Sequence, residues 1–303
     1  MTTTTSFADL HAGLAAAVLR HADAGAMPEE PTETALPGLF LTRARSPQKF
    51  ELTWYEPVFC LVLQGRKESD LGHRRVHFAE GTSLIIGLDM PAVPEVTVAS
   101  AAKPYLAVGV GLRLSLLREL AAEIGPDLLR TAREEAVSSG AAGEEIVDVC
   151  RRMVAALDSP VAMRTLGEGL LREVHVRLLL AEHGGMLREL AMADSQVSRI
   201  ARSIAILRQR FRDKVTVGEL AAEAGMSASS FHDRFRSATG STPLQYRKRL
   251  RMIEAHRLLA QGRAVTETAF CVGYESPTQF AREFKAEFGE PPSARRGVLA
   301  GAA

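Results

Sequence analysis

One motif occurs twice in this chain, and that repeat limits what the chain can fold into. Gly225-Met226-Ser227 leads into a stretch where Phe231 and Phe235 stand four residues apart. The pattern returns 49 residues on as Gly273-Tyr274-Glu275-Ser276, followed by Phe280 and Phe284. Gly240 and Gly289 keep the same offset, as do Pro243 and Pro292, while the second turn is one residue longer. Residues four apart share one face of a helix, so each phenylalanine pair marks a helix with an apolar side toward a core. Ser229, His232 and Arg236 are left on the other side of the first copy. A helix, a glycine-containing turn and a second helix make a helix-turn-helix, whose second helix enters the DNA major groove. Two copies in register are hard to obtain from a plain helical bundle.

Cap chemistry sets the boundaries of this region. Thr216 with Glu219 predicts a capping box opening a helix over Val217 to Ala224, and Thr242-Pro243 with Gln245 predicts another. Ser276-Pro277 repeats the device, and Gly225, Gly240, Gly273 and Gly289 stand where helices should stop. Between the two copies, Tyr246, Leu250 and Ile253 fall on one helical face, so Pro243 to Ala260 reads as one long connecting helix. Alongside runs a basic stretch, Arg247-Lys248-Arg249 with Arg251. Residues 196–303 hold 18 Lys and Arg against 10 Asp and Glu, and residues 1–195 hold 19 against 26. A basic end joined to an acidic remainder points to a polyanion as partner for one part only.

The 303 residues suffice for two domains. Residues 7–23 read as a helix, with Leu10, Leu14 and Val18 four apart, followed by a connection to Pro37. Between Gly38 and Leu112 the period changes: Leu39 to Thr42, Val58 to Gln64, Arg75 to Phe78, Ser83 to Ile86, Val96 to Ala99 and Tyr105 to Val110 read as short strands separated by Gly and Pro. Such a run predicts a small cupin-like β-barrel or jelly roll. Helices are expected over Leu114 to Ile124, Glu144 to Leu157 and Val161 to His183, where Gly184-Gly185 ends the last. In that helix Leu170, Val174 and Leu178 form an apolar row flanked by Glu168/Arg172 and Glu173/Arg177, spaced for intrahelical pairs. It serves either as a core helix or as a dimer contact.

Cys60, Cys150 and Cys271 are odd in number and widely spaced, so neither a disulfide framework nor a zinc cluster is predicted. A reducing cytoplasm fits best, with no export signal and no membrane span. Cys60 sits in an apolar strand as an inert small hydrophobe or, with Arg66 and Lys67 nearby, as an electrophile- or oxidant-responsive thiol. Trp54 and Tyr55 line a ligand cavity or belong to the core. His73 and His77, four apart around a strand, raise one alternative: a cupin-type metalloenzyme fused to a DNA-binding module. The closely paired histidines, downstream acid and later histidine of such a site are missing, so no metal, no cofactor and no catalytic residue is expected.

From Ser195 to Arg296 the chain resembles the AraC family of transcription regulators. The resemblance rests on Glu219-Leu220-Ala221 with Gly225-Met226-Ser227, on Thr242-Pro243-Leu244-Gln245-Tyr246, and on Gly273-Tyr274-Glu275-Ser276 with Phe280 through Lys285 and Gly289 through Pro292. Tyr55-Glu56-Pro57, Leu63-Gln64-Gly65-Arg66-Lys67 and Lys103-Pro104-Tyr105-Leu106 are similar to the N-terminal sensor domain of one AraC-type subfamily. The resemblance implies an α+β, two-domain protein with a cupin-like sensor barrel, flanking helices and an all-α double helix-turn-helix. The expected parts are an N-terminal helix and connection over 1–37, the barrel over 38–112, a helical, dimerising connector over 113–194 and the DNA-binding domain over 195–297. Ser229, His232 and Asp233 in one reader helix, and Thr278, Gln279 and Arg282 in the other, would then face base edges. Asp233 departs from the basic residue common in the family. Arg236, Arg247, Lys248 and Lys285 would meet phosphates. Implied partners are double-stranded DNA, a small-molecule effector, a second copy of the chain and RNA polymerase.

Overall fold

The computed structural model describes residues 7–71, 74–125 and 136–297. They fall into two units, one within Met1–Glu51 and Tyr55–Ser198, the other within Leu52–Trp54 and Arg199–Ala303.

In chain order the elements of the first unit begin with α1 (Phe7–Ala24), β1 (Thr32–Glu33), β2 (Leu39–Ala44) and β3 (Gln48–Lys49). Then come β4 (Thr53–Tyr55), of which only Tyr55 groups with this unit, β5 (Val58–Gln64), β6 (Arg66–Asp70), β7 (Arg75–Ala79), β8 (Thr82–Ile86), β9 (Met90–Val98) and β10 (Tyr105–Gly111). After them run α2 (Leu114–Ile124), β11 (Val137–Ala141), α3 (Glu144–Ala156), α4 (Pro160–Leu180) and α5 (Gly185–Ala191).

The strands form a six-stranded sheet ordered β1-β2-β10-β5-β8-β11 and a five-stranded sheet ordered β3-β9-β6-β7, with β4 on β9. Both are open among the described residues, so the expected barrel is two sheets rather than one closed cylinder. Side chains alternate across a strand. Phe59, Leu61 and Leu63 of β5 are 1% exposed or less on the side that α1 packs against. Cys60, on the opposite face, is half-buried.

Three differences from the predicted elements have physical reasons. β9 runs through Pro94, expected as a break between strands, and begins six residues before the predicted Val96; a proline withholds only a donor from the ladder, and the Pro94 carbonyl still accepts from the Phe50 N–H at 2.8 Å. β6, Arg-Lys-Glu-Ser-Asp, carries no apolar signal but is bonded to neighbours on both sides. β11, Val-Ser-Ser-Gly-Ala, was likewise unpredicted and pairs with β8. Gly184-Gly185 also does more than end a helix, since α5 begins at Gly185.

The row Leu170, Val174 and Leu178 of α4 is buried, chiefly against α3. Glu173 and Arg177 pair along the helix as expected, at 3.7 Å, whereas Glu168 and Arg172 reach other elements instead of each other. Glu168 takes Arg113 at 2.8 Å, Arg172 meets Glu119 and Glu123 of α2, and Glu173 takes Arg152 of α3 at 2.7 Å. His175 is fully buried; its Nε2 accepts from the Arg113 N–H at 3.0 Å and its Nδ1–H donates to the Leu171 carbonyl at 2.7 Å. Burial holds its pKa below the usual histidine value, so the neutral ring fixes where α2 starts.

The second unit is helical: α6 (Gln196–Gln209), α7 (Val217–Glu223), α8 (Ala228–Thr239), α9 (Pro243–Ala260), α10 (Val265–Cys271) and α11 (Pro277–Phe288), closed by a 3-10 turn at Pro292–Arg295. Both expected capping boxes are formed, Thr216 with Glu219 and Thr242 with Gln245. Met252, Leu259, Ala269, Val272, Phe280 and Phe284 make one buried cluster. Gly273 is obligatory: its φ is +86° and a Cβ would lie 2.3 Å from the Arg212 carbonyl oxygen. No helix among the described residues is long and apolar enough to cross a membrane.

Candidate nucleic-acid interface and sensor interior

α7-turn-α8 and α10-turn-α11 are the two helix-turn-helix units. Ser227 caps α8 by accepting from the Ser230 N–H, and Ser276 caps α11 by accepting from the Gln279 N–H, each at 3.3 Å. Gly240 (φ +70°) and Gly289 (φ +79°) end both helices in the left-handed conformation. Phe231 and Phe235, ring centroids 5.5 Å apart, and Phe280 and Phe284, 5.7 Å apart, are fully buried. Burying these faces turns Ser229, Asp233 and Arg236 outward on α8, and Thr278, Arg282 and Lys285 outward on α11.

The exposed faces carry different chemistry. The Asp233 side chain is 86% exposed, with His232 at 3.8 Å. Arg282 is exposed and has no ion pair among the described residues. Gln279, though exposed, donates to Glu283 at 2.9 Å. Glu283 also accepts from the Tyr274 hydroxyl at 2.7 Å and lies 3.5 Å from Lys248. Desolvation alone would raise the Glu283 pKa, but the Gln279 and Tyr274 hydrogen bonds and Lys248 hold it below the usual carboxylate value.

The basic run of α9 is largely occupied inside the unit. Arg247 donates to the Val215 carbonyl at 2.9 Å, Arg251 to the Phe211 carbonyl at 2.8 Å, and Arg249 lies 3.7 Å from Glu287. The Arg247 and Arg251 contacts tie α9 to backbone carbonyls of the segment after α6, and Arg249 ties it to α11. Arg236 and Lys285 have no such anchoring and remain exposed.

In the first unit the sensor candidates scatter. His77 lies on the outer face of β7, 61% exposed and 3.0 Å from Glu68; His73 lies outside the described residues. Trp54 falls with the second unit, its ring centroid 5.4 Å from that of Tyr246. Among the described residues no group of three His, Cys, Asp or Glu could hold a metal ion. Tyr55 and Cys60 do come together, electrostatically coupled to Lys67 and Tyr105. The Cys60 thiol pKa is raised because burial outweighs the pull of Lys67. Arg66 is on the exposed face of β6. The sequence reading treated Lys67 only as a neighbour of Cys60 and gave Tyr105 no role. The detectable signal was period-two alternation, which sets Lys67 opposite in sense to Arg66 and Glu68.

A sheet-rich unit followed by two aligned helix-turn-helix units defines a two-domain helix-turn-helix regulator fold. The model of the AraC-type transcriptional regulator N-terminus matches residues 35–186, and a helix-turn-helix domain model matches residues 220–297. The chain belongs to the AraC family of transcriptional regulators. It is 28% identical over 149 residues to the HTH-type transcriptional activator RhaS of Escherichia coli strain K12 / DH10B, covering 48% of this chain and 53% of RhaS. The chain thus spans about half the length of the curated relatives it matches. Its fold is similar to ToxT of Vibrio cholerae O395, with a TM-score of 0.54 at 10% identity over 87% of this chain and 98% of ToxT. Unsaturated fatty acid bound wild-type ToxT of strain SCE256 gives a TM-score of 0.57 at 9% identity over 91% and 99%.

Proposed function

We propose that this protein is a sequence-specific, DNA-binding transcription regulator of the cytoplasm rather than an enzyme, acting as a homodimer whose N-terminal unit takes a small effector. One observation carries the reading: two helix-turn-helix units, capped and packed alike, leave the same positions of α8 and α11 exposed. Each helix enters a major groove, the two about one DNA turn, roughly 34 Å, apart. Ser229, His232 and Asp233 face bases from α8; Thr278, Gln279 and Arg282 face them from α11. Arg236 and Lys285 meet phosphates, while Arg247 and Lys248 stiffen α9 and contribute to the field around it. The exposed Val161, Leu166 and Leu180 of α4 support the 113–194 region as the dimer contact, and RNA polymerase is the protein partner such a regulator would meet.

A gel shift on the DNA upstream of its own gene tests this. Affinity should fall steeply as salt rises, because phosphate contacts release counterions. Binding indifferent to salt, or none at low salt, would defeat the proposal.

A further inference from the structure

The inner faces of the two sheets hold a charge that the first unit leaves without a counter-ion. On β6 the outward side chains are Arg66 and Glu68, the latter paired with His77 and Arg75. Lys67 points the other way, between Phe78 of β7 and Val96 of β9, its partners in register and both 3% exposed or less. Its Nζ lies 5.9 Å from the Phe50 ring centroid and 5.8 Å from that of Tyr55. No carboxylate pairs with it among the described residues. Cys60 of β5, on the larger sheet, lies near enough to act on its charge, and Tyr105 of β10, on the same side of that sheet by the Cys60–Gly109 pairing and the alternation of β10, is likewise near Cys60 and Tyr55. Tyr105 is fully buried and its hydroxyl has no hydrogen-bond partner. A half-buried lysine whose ammonium has, among the described residues, only the Tyr55 hydroxyl and two ring faces for company, and a buried idle hydroxyl, are both costly.

We infer that Lys67 and Tyr105 form the anion end of a binding site between the sheets, and that the site takes a small carboxylic acid with an apolar body. The ammonium supplies the charge, the Tyr105 hydroxyl donates a hydrogen bond, and Val62, Leu84 and Ala107 with Phe78 and Val96 surround the apolar part. Gly109, opposite Cys60, adds no side chain, and the Phe40 side chain packs over it as a further apolar wall. Burial works against the Lys67 charge, but Tyr55 and Cys60 outweigh it and its pKa is raised. The amine therefore stays protonated and pairs with an anion rather than attacking a carbonyl carbon. The inference rests on the reading of this unit as the effector unit and gives that effector its chemical class.

Cys60 provides a reporter that needs no knowledge of the natural effector. The full-length protein is alkylated with iodoacetate or with neutral iodoacetamide, and the modification rate at each cysteine is read by peptide mass spectrometry. Both reagents attack the same thiolate, so their rate ratio cancels any change in thiol ionisation and reports anion attraction alone. Lys67→Met should lower the iodoacetate-to-iodoacetamide ratio at Cys60 about tenfold, the equivalent of one charge-assisted contact worth ~1.4 kcal/mol. Lys67→Arg should keep the ratio high, and the ratio at Cys271 should not move. On unmodified protein, octanoate should slow iodoacetamide at Cys60 while octanamide should not, which decides the matter even if Lys67→Met fails to fold. An unchanged ratio in Lys67→Met, equal protection by octanamide, or no labelling of Cys60 at all would overturn the site. The gel shift on the same preparations separates the readings. Salt-dependent DNA binding with failed labelling removes only the carboxylate site; protection by octanoate without any DNA binding removes only the regulator.

Discussion

Aligned at the 49-residue offset, Phe231 falls on Phe280, Phe235 on Phe284, Ser229 on Thr278, Asp233 on Arg282 and Arg236 on Lys285. The two core-facing phenylalanines repeat by identity, whereas Ser229, Asp233 and Arg236 on the exposed face repeat only in position. His232 falls on Ala281 and Arg234 on Glu283. Among the described residues Arg234 bonds only the Ser230 hydroxyl, at 3.1 Å, whereas Glu283 gathers Gln279, Tyr274 and Lys248. One reader is thus a capped helix held by its phenylalanines, and the other is also clamped to α9 through a carboxylate. Equal scaffolds with unequal faces suit a bipartite, asymmetric DNA site.

The largest effects test the shared scaffold. Phe231→Ala and Phe280→Ala each remove a fully buried ring and should destabilise their unit by about 3–5 kcal/mol, read as a lower urea midpoint with loss of DNA binding. A large cost at one and a negligible cost at the other would break the equivalence.

Next comes the exposed face. Arg282→Ala should cost about 1–3 kcal/mol in binding and relax preference at one base pair, as for a guanidinium held bidentately by guanine. A uniform loss across all sequences would reassign Arg282 to phosphate. The corresponding Asp233→Ala should produce no such loss of affinity.

The clamp separates the readers by pH. Glu283→Gln should destabilise the second unit by about 1–3 kcal/mol, the range for hydrogen bonds to a charged group. An unfolded glutamate titrates at about 4.3, and in the folded protein Glu283 titrates lower. Its stabilisation is therefore complete above the unfolded value and lost as pH falls through the folded one. Acid titration of the wild type and of Glu283→Gln should show stability curves that converge as pH drops through that window. Parallel curves would mean that the carboxylate charge contributes nothing.

Legibility in the sequence followed the same division. The helical unit was readable almost to the residue because caps, stop glycines and paired phenylalanines are local signals: the connecting helix was expected over Pro243 to Ala260 and spans those residues. β6 and β11 were unreadable because their strand character comes from pairing with neighbours distant in sequence. The basic run of α9 shows a third limit. Composition sees a cationic stripe, but whether Arg247 meets DNA or the Val215 carbonyl depends on where the segment after α6 lies in space. Lys67 was hidden for the converse reason, since a lysine within Arg-Lys-Glu-Ser looks like solvated surface until the alternation of a strand turns it inward.

The smallest effect bears most directly on the asymmetry. Asp233 is nearly free in solvent, so its repulsion of a phosphate is weakened by water and ions, with a Debye length of about 10 Å at 0.1 M salt. If it acts only through charge, Asp233→Asn should tighten binding to every sequence by less than about 1 kcal/mol, the scale of exposed ion pairs. That gain should shrink as salt rises. If Asp233 instead accepts from a cytosine amino group, the same substitution weakens binding at one base pair and leaves the others alone. Measured beside Arg282→Ala on one set of single-base operator variants, the two outcomes differ in sign. The first makes α8 a weak, permissive reader beside a selective α11. The second makes the two helices complementary, one selecting guanine through a cation and the other selecting cytosine through an anion at the same position of the repeat.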